Sequence, residues 1–276
     1  MRTDRFPFDH YLASDALGLV VCAIPKCACT TLKHWLVATT EGAPVPPDHA
    51  GGIHRYCTAR YALASRPPAE AQAVLDRAFR VAILRDPLER IASAYASKFV
   101  RIAPPERSSR PVVEAVQIGS PTDVFHDRLG PIHFGLRSEI GPLCSRVDYN
   151  RGITFREFLD YLVRTPDDDL DPHWRPQAAF VRPVTFHILG SIDHIDRVLQ
   201  KALEHLGIER PVPAARTPHA RKPARSRTLA DTPAGELRLR SINPTADDLY
   251  TPELRLLVRA RYQHDVELFN AAVEYT

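Results

Sequence analysis

The chain has 276 residues, 44 % hydrophobic and 25 % charged, which suits one large α/β domain or two small ones with a sizeable core. A net charge of +3 is too small to argue for nucleic acid or a membrane surface as a partner, and no apolar run reaches the ~18–20 residues that span a bilayer. The opening Met1-Arg2-Thr3-Asp4-Arg5 lacks the apolar core of a signal peptide. Five cysteines (Cys22, Cys27, Cys29, Cys57, Cys144) make an odd number without framework spacing, which points to a reducing cytoplasm. Cys27-x-Cys29 has no partner doublet and no histidine at zinc spacing, so no metal is expected.

Three segments read as a strand followed by a helix, the pattern of a parallel sheet with helices packed against it. The first strand covers residues 17–24, a continuous apolar run of the kind buried on both faces. It ends at Pro25, and a helix follows from about residue 31. The second strand is Phe79–Leu84. Its helix opens with Asp86-Pro87-Leu88-Glu89, an acidic N-cap, proline at the first helical position and Glu at the third. Leu88, Ile91, Tyr95 and Phe99 form an apolar stripe on that helix, while Asp86, Arg90, Ser93 and Ser97 share another face, which allows Asp86 and Arg90 to be surface charges.

Residues 101–150, rich in Pro, Ser, Gly and Arg, read as loops and short helices. Thr154-x-x-Glu157 starts a short helix as a capping box. A third strand is expected at about 184–189, followed by a striped helix that stops at Gly207. Arg210, Arg216, Arg221, Lys222, Arg225 and Arg227 then make a basic stretch at 210–228, either a solvated loop or a flap over a polyanion. A last helix is expected at about 252–272. No stretch reads as a linker, so 1–276 is taken as one domain.

Two strand ends carry anion-binding signals. After the first strand comes Pro25-Lys26-Cys27-Ala28-Cys29-Thr30-Thr31 and then a helix start, whose free N–H groups and dipole favour anions. Small residues at 27–29 allow close backbone approach, Lys26 adds charge, and Thr30 and Thr31 add hydroxyls. This is no Walker A loop, since glycines are missing and the lysine leads. Arg85 stands at the end of the second strand, where ligands of open α/β sheets sit, and Ser93 lies roughly 10 Å further along the helix at about 1.5 Å per residue.

Together these segments resemble the sulfotransferases that use 3′-phosphoadenosine 5′-phosphosulfate (PAPS), Pro25-Lys26-x-x-x-Thr30-Thr31 matching the 5′-phosphosulfate loop and Arg85-Asp86-Pro87-Leu88-Glu89-Arg90-x-x-Ser93 the 3′-phosphate segment. The branch of Golgi carbohydrate sulfotransferases of the chondroitin and HNK-1 type is the nearer match. It also has His-Trp-x-Pro-Gln, matched by His173 to Gln177, and Tyr-x-x-Asp-x-x-x-Phe, matched by Tyr262, Asp265 and Phe269. The resemblance implies a P-loop-like three-layer α/β fold with a central, mostly parallel sheet. It further implies PAPS as donor, 3′-phosphoadenosine 5′-phosphate as product, and a carbohydrate or small-molecule hydroxyl as acceptor, with no metal. By the same resemblance Lys26 with Thr30 or Thr31 holds the 5′-phosphosulfate, and Arg85 with Ser93 the 3′-phosphate.

Sulfuryl transfer places charge on a leaving oxygen, which Lys26 can neutralise. A base is needed for the acceptor hydroxyl, and histidine suits neutral pH. His54, in a glycine-containing loop between the two binding strands, is the first candidate; His173 is the second, and another group remains open. His173 and Trp174 are also candidates for the acceptor cleft, Trp174 either as a stacking platform or as core. The alternatives are a kinase-like phosphotransferase, which wants a glycine-rich loop and a metal-binding Asp, and a non-catalytic nucleotide-binding protein. An Arg-rich, Lys-poor chain without an anchor segment suggests a bacterial enzyme; nothing in the sequence sets an oligomeric state.

Overall fold

Four short apolar runs build the central sheet of the computed structural model, which describes residues 6–46, 52–101, 152–209 and 228–275. β1 (Tyr11–Ser14), β2 (Leu19–Cys22), β3 (Phe79–Leu84) and β4 (Ile188–Ser191) lie side by side in that order. β1 and β2 are antiparallel, turning through Gly18 at φ +57°, a left-handed value that glycine adopts without penalty. β2–β3 and β3–β4 are parallel, with Val81 opposite Val21 on one side and Ile188 on the other. Parallel neighbours need long crossovers, which helices supply.

In chain order the helices are α1 (Cys29–Glu41), α2 (Gly52–Tyr61), α3 (Pro68–Arg77), α4 (Pro87–Tyr95), α5 (Phe155–Arg164), α6 (Ala178–Val181), α7 (Ile195–His205), α8 (Ala234–Leu239), α9 (Ala246–Leu249), α10 (Pro252–Arg261) and α11 (Gln263–Tyr275). They distribute over two compact units. The first comprises Met1–Asp86, Pro176–Ala220 and His264–Thr276, and the second Pro87–Arg175 and Arg221–Gln263.

Strand alternation makes the first unit three-layered. Leu19, Val21, Val81 and Ile83 point to one face of the sheet and pack with Leu32, Trp35 and Leu36 of α1, Ile53 of α2 and Val198 of α7. Val20, Cys22, Ala82 and Leu84 point the other way and meet Val74 and Leu75 of α3, Phe180 of α6 and Phe269 of α11. This is the P-loop-like α/β architecture expected, with a central, mostly parallel sheet flanked by helices. In the second unit an aromatic cluster of Tyr95, Phe155, Phe158 and Trp174 centres the core. The Thr154–Glu157 capping box forms there as read, the Thr154 hydroxyl accepting from the Glu157 N–H and the Glu157 carboxylate from the Thr154 N–H.

Several element limits shift for local reasons. β2 keeps only the four residues that pair on both sides, and β1 is an extra edge strand. β4 starts at Ile188 because at His187 the ring Nδ1 takes the Arg80 N–H in place of a backbone carbonyl. α7 ends at Gly207, φ +65°, with Ile208 N–H on the Leu203 carbonyl and Gly207 N–H on the Glu204 carbonyl, the paired closure of a glycine-terminated helix. The last helix divides at Tyr262, whose backbone (φ −114°, ψ 33°) leaves the helical range. The expectations for 102–151 and 210–227, including the flap at Arg221 and Lys222, lie outside the described residues. Among the described residues no helix is long and apolar enough to cross a membrane.

Candidate active site

The loop after β2 takes a shape that its sequence conceals. Lys26 has φ +69° and Ala28 φ +56°, so two residues with side chains occupy the left-handed region on either side of Cys27. Each such residue costs about 1–2 kcal/mol relative to the right-handed form. Backbones that alternate in this way form concave nests of N–H groups, which hold anions. Ala28 is also the N-cap of α1 and no side chain caps the helix. The first α-helical bond is Leu32 N–H to the Ala28 carbonyl at 3.0 Å, so the N–H groups of Cys29, Thr30 and Thr31 precede the ladder. Two left-handed conformations of the kind glycine usually supplies are therefore present without glycine.

Cys27, at the centre of this loop, is buried and its thiol donates to Oε1 of Gln177 at 3.0 Å. Gln177 is itself fully buried. Its Oε1 also accepts the Arg85 N–H at 2.9 Å, and its Nε2 donates to the Arg85 carbonyl at 2.8 Å. Asp265 of α11, buried, accepts the backbone N–H groups of Gln177 and Ala178 at 2.7 and 2.8 Å and so caps α6. The Arg85 guanidinium reaches back to the Lys26 carbonyl at 3.4 Å. One glutamine thus fastens both strand-end segments in register.

His54 is in the first turn of α2 and not in a loop as the sequence suggested. Its Nε2 lies 3.3 Å from the Thr30 hydroxyl and its Nδ1 3.0 Å from Nζ of Lys33. Burial holds the pKa of Lys33 below the ordinary lysine value, opposed in part by Cys29 and Cys57. In the first unit, then, the structure brings Lys26, Thr30, His54 and Arg85 into one neighbourhood at the carboxyl end of the sheet.

In the second unit Ser93 lies half-buried on α4. Arg90 is not the surface charge its position allowed: it is fully buried and donates to the carbonyls of Arg175 at 2.8 Å and Pro172 at 3.0 Å. These bonds brace the segment that carries His173. Both the His173 N–H and its Nδ1 meet Oδ1 of buried Asp171 at 2.8 Å. Trp174 is wholly buried against Phe99 and Phe158, so of its two readings the structure gives core, and its ring offers no face for an acceptor. Its carbonyl accepts from the Tyr262 hydroxyl at 2.6 Å. Lys33, Asp171, Gln177 and Asp265 were not singled out for roles from sequence, although Gln177 and Asp265 stand inside the two motifs quoted for the resemblance.

Among the described residues no group of three His, Cys, Asp or Glu side chains is placed to hold a metal ion. The Sulfotransferase family matches residues 9–272. The chain is similar to carbohydrate sulfotransferase 14 of Mus musculus, 28 % identical over 223 residues that cover 78 % of this chain and 49 % of the relative. The Homo sapiens protein of the same name is 27 % identical with the same coverage. Carbohydrate sulfotransferase 12 of Mus musculus is 23 % identical over 74 % of this chain and 50 % of its own. The chain therefore spans about half the length of these relatives, and no solved structure matches it significantly. With residues 9 to 272 of its 276 inside the family match, the chain belongs to the sulfotransferase family.

Proposed function

We propose that the chain transfers a sulfuryl group from PAPS to a hydroxyl by in-line displacement. A carbohydrate is the first acceptor class to test, given the names of the relatives, with small-molecule hydroxyls as the second. The observation that carries the reading is the left-handed pair Lys26 and Ala28 at an uncapped helix start. That cradle suits a phosphosulfate, being built of backbone donors with one fixed positive charge beside them. The family match runs through both compact units, which supports treating them as one sulfotransferase domain.

The residue roles follow from chemistry and from the family resemblance. When bound, PAPS supplies the activated sulfuryl group. Lys26, with the N–H groups and hydroxyls of Thr30 and Thr31, holds the 5′ end and neutralises charge on the departing oxygen. Arg85 and Ser93 take the 3′-phosphate on the strength of the resemblance. His54 accepts the proton of the acceptor hydroxyl, a role supported by its place 3.3 Å from Thr30. One observation favours His173 as a second candidate: Asp171 holds its Nδ1, the arrangement that leaves Nε2 as the proton acceptor.

Transfer of labelled sulfate from PAPS to a panel of glycans and small hydroxyl compounds tests the proposal. His54→Gln should bind nucleotide normally and transfer ~10²–10⁴-fold more slowly, the usual loss with a general base. If His173→Ala stops transfer with binding intact while His54→Gln stays active, the base is His173. Nucleotide binding without transfer to any acceptor identifies a binding protein instead.

A further inference from the structure

α1 and α2 meet along a seam whose two ends carry different chemistry. Thr30 and Glu41 stand eleven residues apart on α1, about three turns, which puts them on one side of the helix. His54 and Tyr61 stand seven residues apart on α2, about two turns, and share a side in the same way. At one end of the seam His54 lies against Thr30 and Lys33. In the middle the Cys57 thiol donates to the Lys33 carbonyl at 3.9 Å. At the other end Glu41 takes two hydroxyls, that of Tyr61 on Oε1 and that of Tyr56 on Oε2 at 2.7 Å. The contacts climb both helices in the same order.

An acid is out of place at the end of α1. Glu41 is the last residue of that helix, at the negative end of its dipole, where a carboxylate is unfavourable. Its partners on α2 account for it. Burial works to raise its pKa, but the two tyrosine hydroxyls and Arg60, 3.5 Å away, outweigh that and hold the carboxyl below its usual range. Tyr56 and Tyr61 are five residues apart, roughly 140° around the helix and about 7.5 Å along it. A single bond would leave α2 free to roll about it, whereas two bonds to one carboxylate fix roll and slide together. Both tyrosine rings are buried in the core that also holds Leu36 and Val37 of α1, which restrains the hydroxyls further. The Arg60 guanidinium, 4.9 Å over the Tyr56 ring, covers the group on its solvent side.

Resting on the reading of His54 as base, we propose that Glu41 is its positioning residue: by taking both tyrosine hydroxyls it sets the register of α2 on α1 and so holds the imidazole against Thr30. Glu41 touches no reacting atom and acts through the helix. The loop at Lys26 and the Arg85 segment lie outside this seam, so the device aligns the base without adding to the grip on nucleotide.

Two measurements test this. Nitrogen-15 NMR of histidine-labelled protein without nucleotide reads the ring of His54, assigned by its loss in His54→Gln. Its signals should move in Glu41→Ala and in the milder Tyr61→Phe, while those of His187 and His205 stay. Transfer of labelled sulfate from PAPS to the glycan and small-hydroxyl panel is then compared with affinity for 3′-phosphoadenosine 5′-phosphate. Glu41→Ala should lose up to about 10²-fold in turnover, the scale of a misplacement of about 1 Å, with affinity unchanged. Glu41→Gln, which keeps one acceptor oxygen on the same stem, should lose less, and Tyr56→Phe with Tyr61→Phe should match Glu41→Ala. Added to His54→Gln, Glu41→Ala should cost nothing more, because its effect passes through the imidazole. The same further loss on that background, or a His54 signal that ignores both Glu41→Ala and Tyr61→Phe, overturns the proposal. Full turnover in His54→Gln sinks the base reading and the proposal with it, whereas full turnover in Glu41→Ala beside a slow His54→Gln sinks the proposal alone.

Discussion

Gln177 binds both backbone groups of Arg85, its Oε1 taking the N–H at 2.9 Å and its Nε2 giving to the carbonyl at 2.8 Å. It treats Arg85 as a neighbouring strand would, at the point where β3 runs out of partners. The same Oε1 takes the Cys27 thiol, so the two strand-end segments share one anchor. Gln177→Leu keeps the volume and removes all three bonds. It should destabilise the protein by about 1–3 kcal/mol for each buried group left unpaired. Urea unfolding measures this, and affinity for 3′-phosphoadenosine 5′-phosphate should fall with it. An unchanged midpoint and affinity would show that the anchor is dispensable.

Ala28 tests the loop geometry separately from charge. At φ +56°, Ala28→Gly removes the steric penalty of the left-handed form, and thermal unfolding should show equal or higher stability with nucleotide binding retained. Ala28→Val puts a β-branched side chain where that backbone tolerates it least, and both stability and binding should drop. Equal behaviour of the two variants would mean that the loop does not hold this conformation in solution.

Trp174 distinguishes core from platform. Removing a fully buried tryptophan costs about 3–5 kcal/mol, so Trp174→Ala should unfold far earlier than the wild type. A ring that served the acceptor would instead leave the melting temperature in place and raise KM alone.

The sequence was most legible where local pattern decides structure. The apolar run Phe79–Leu84 emerges with the limits read from it, and so does the Thr154 capping box, because both depend on near neighbours. β1 escaped notice because Tyr11–Ser14 is four residues long and is defined by its pairing with β2. The sequence left a surface charge open for Arg90 because the carbonyls that accept from it lie 82 and 85 residues away. Gln177 reaches Arg85 across 92 residues and Cys27 across 150, distances at which no spacing rule operates. Lys26 and Arg85 stood out by type and strand-end position, whereas the partnership of Lys33 with His54 needed the packing of α1 on α2 to appear.

Under the proposed function, the strand-end segments at Lys26 and Arg85 hold a nucleotide phosphorylated at both 3′ and 5′ positions. Calorimetric titration with 3′-phosphoadenosine 5′-phosphate and with adenosine 5′-monophosphate, in the presence of a chelator, measures it most directly. A charge-assisted hydrogen bond is worth about 1.5–3 kcal/mol, so the wild type should prefer the 3′-phosphorylated nucleotide by at least about tenfold. Arg85→Ala should lose most of that preference, and Lys26→Ala should weaken both nucleotides alike. A wild type that binds ATP tightly and shows no preference for the 3′-phosphate would contradict the account.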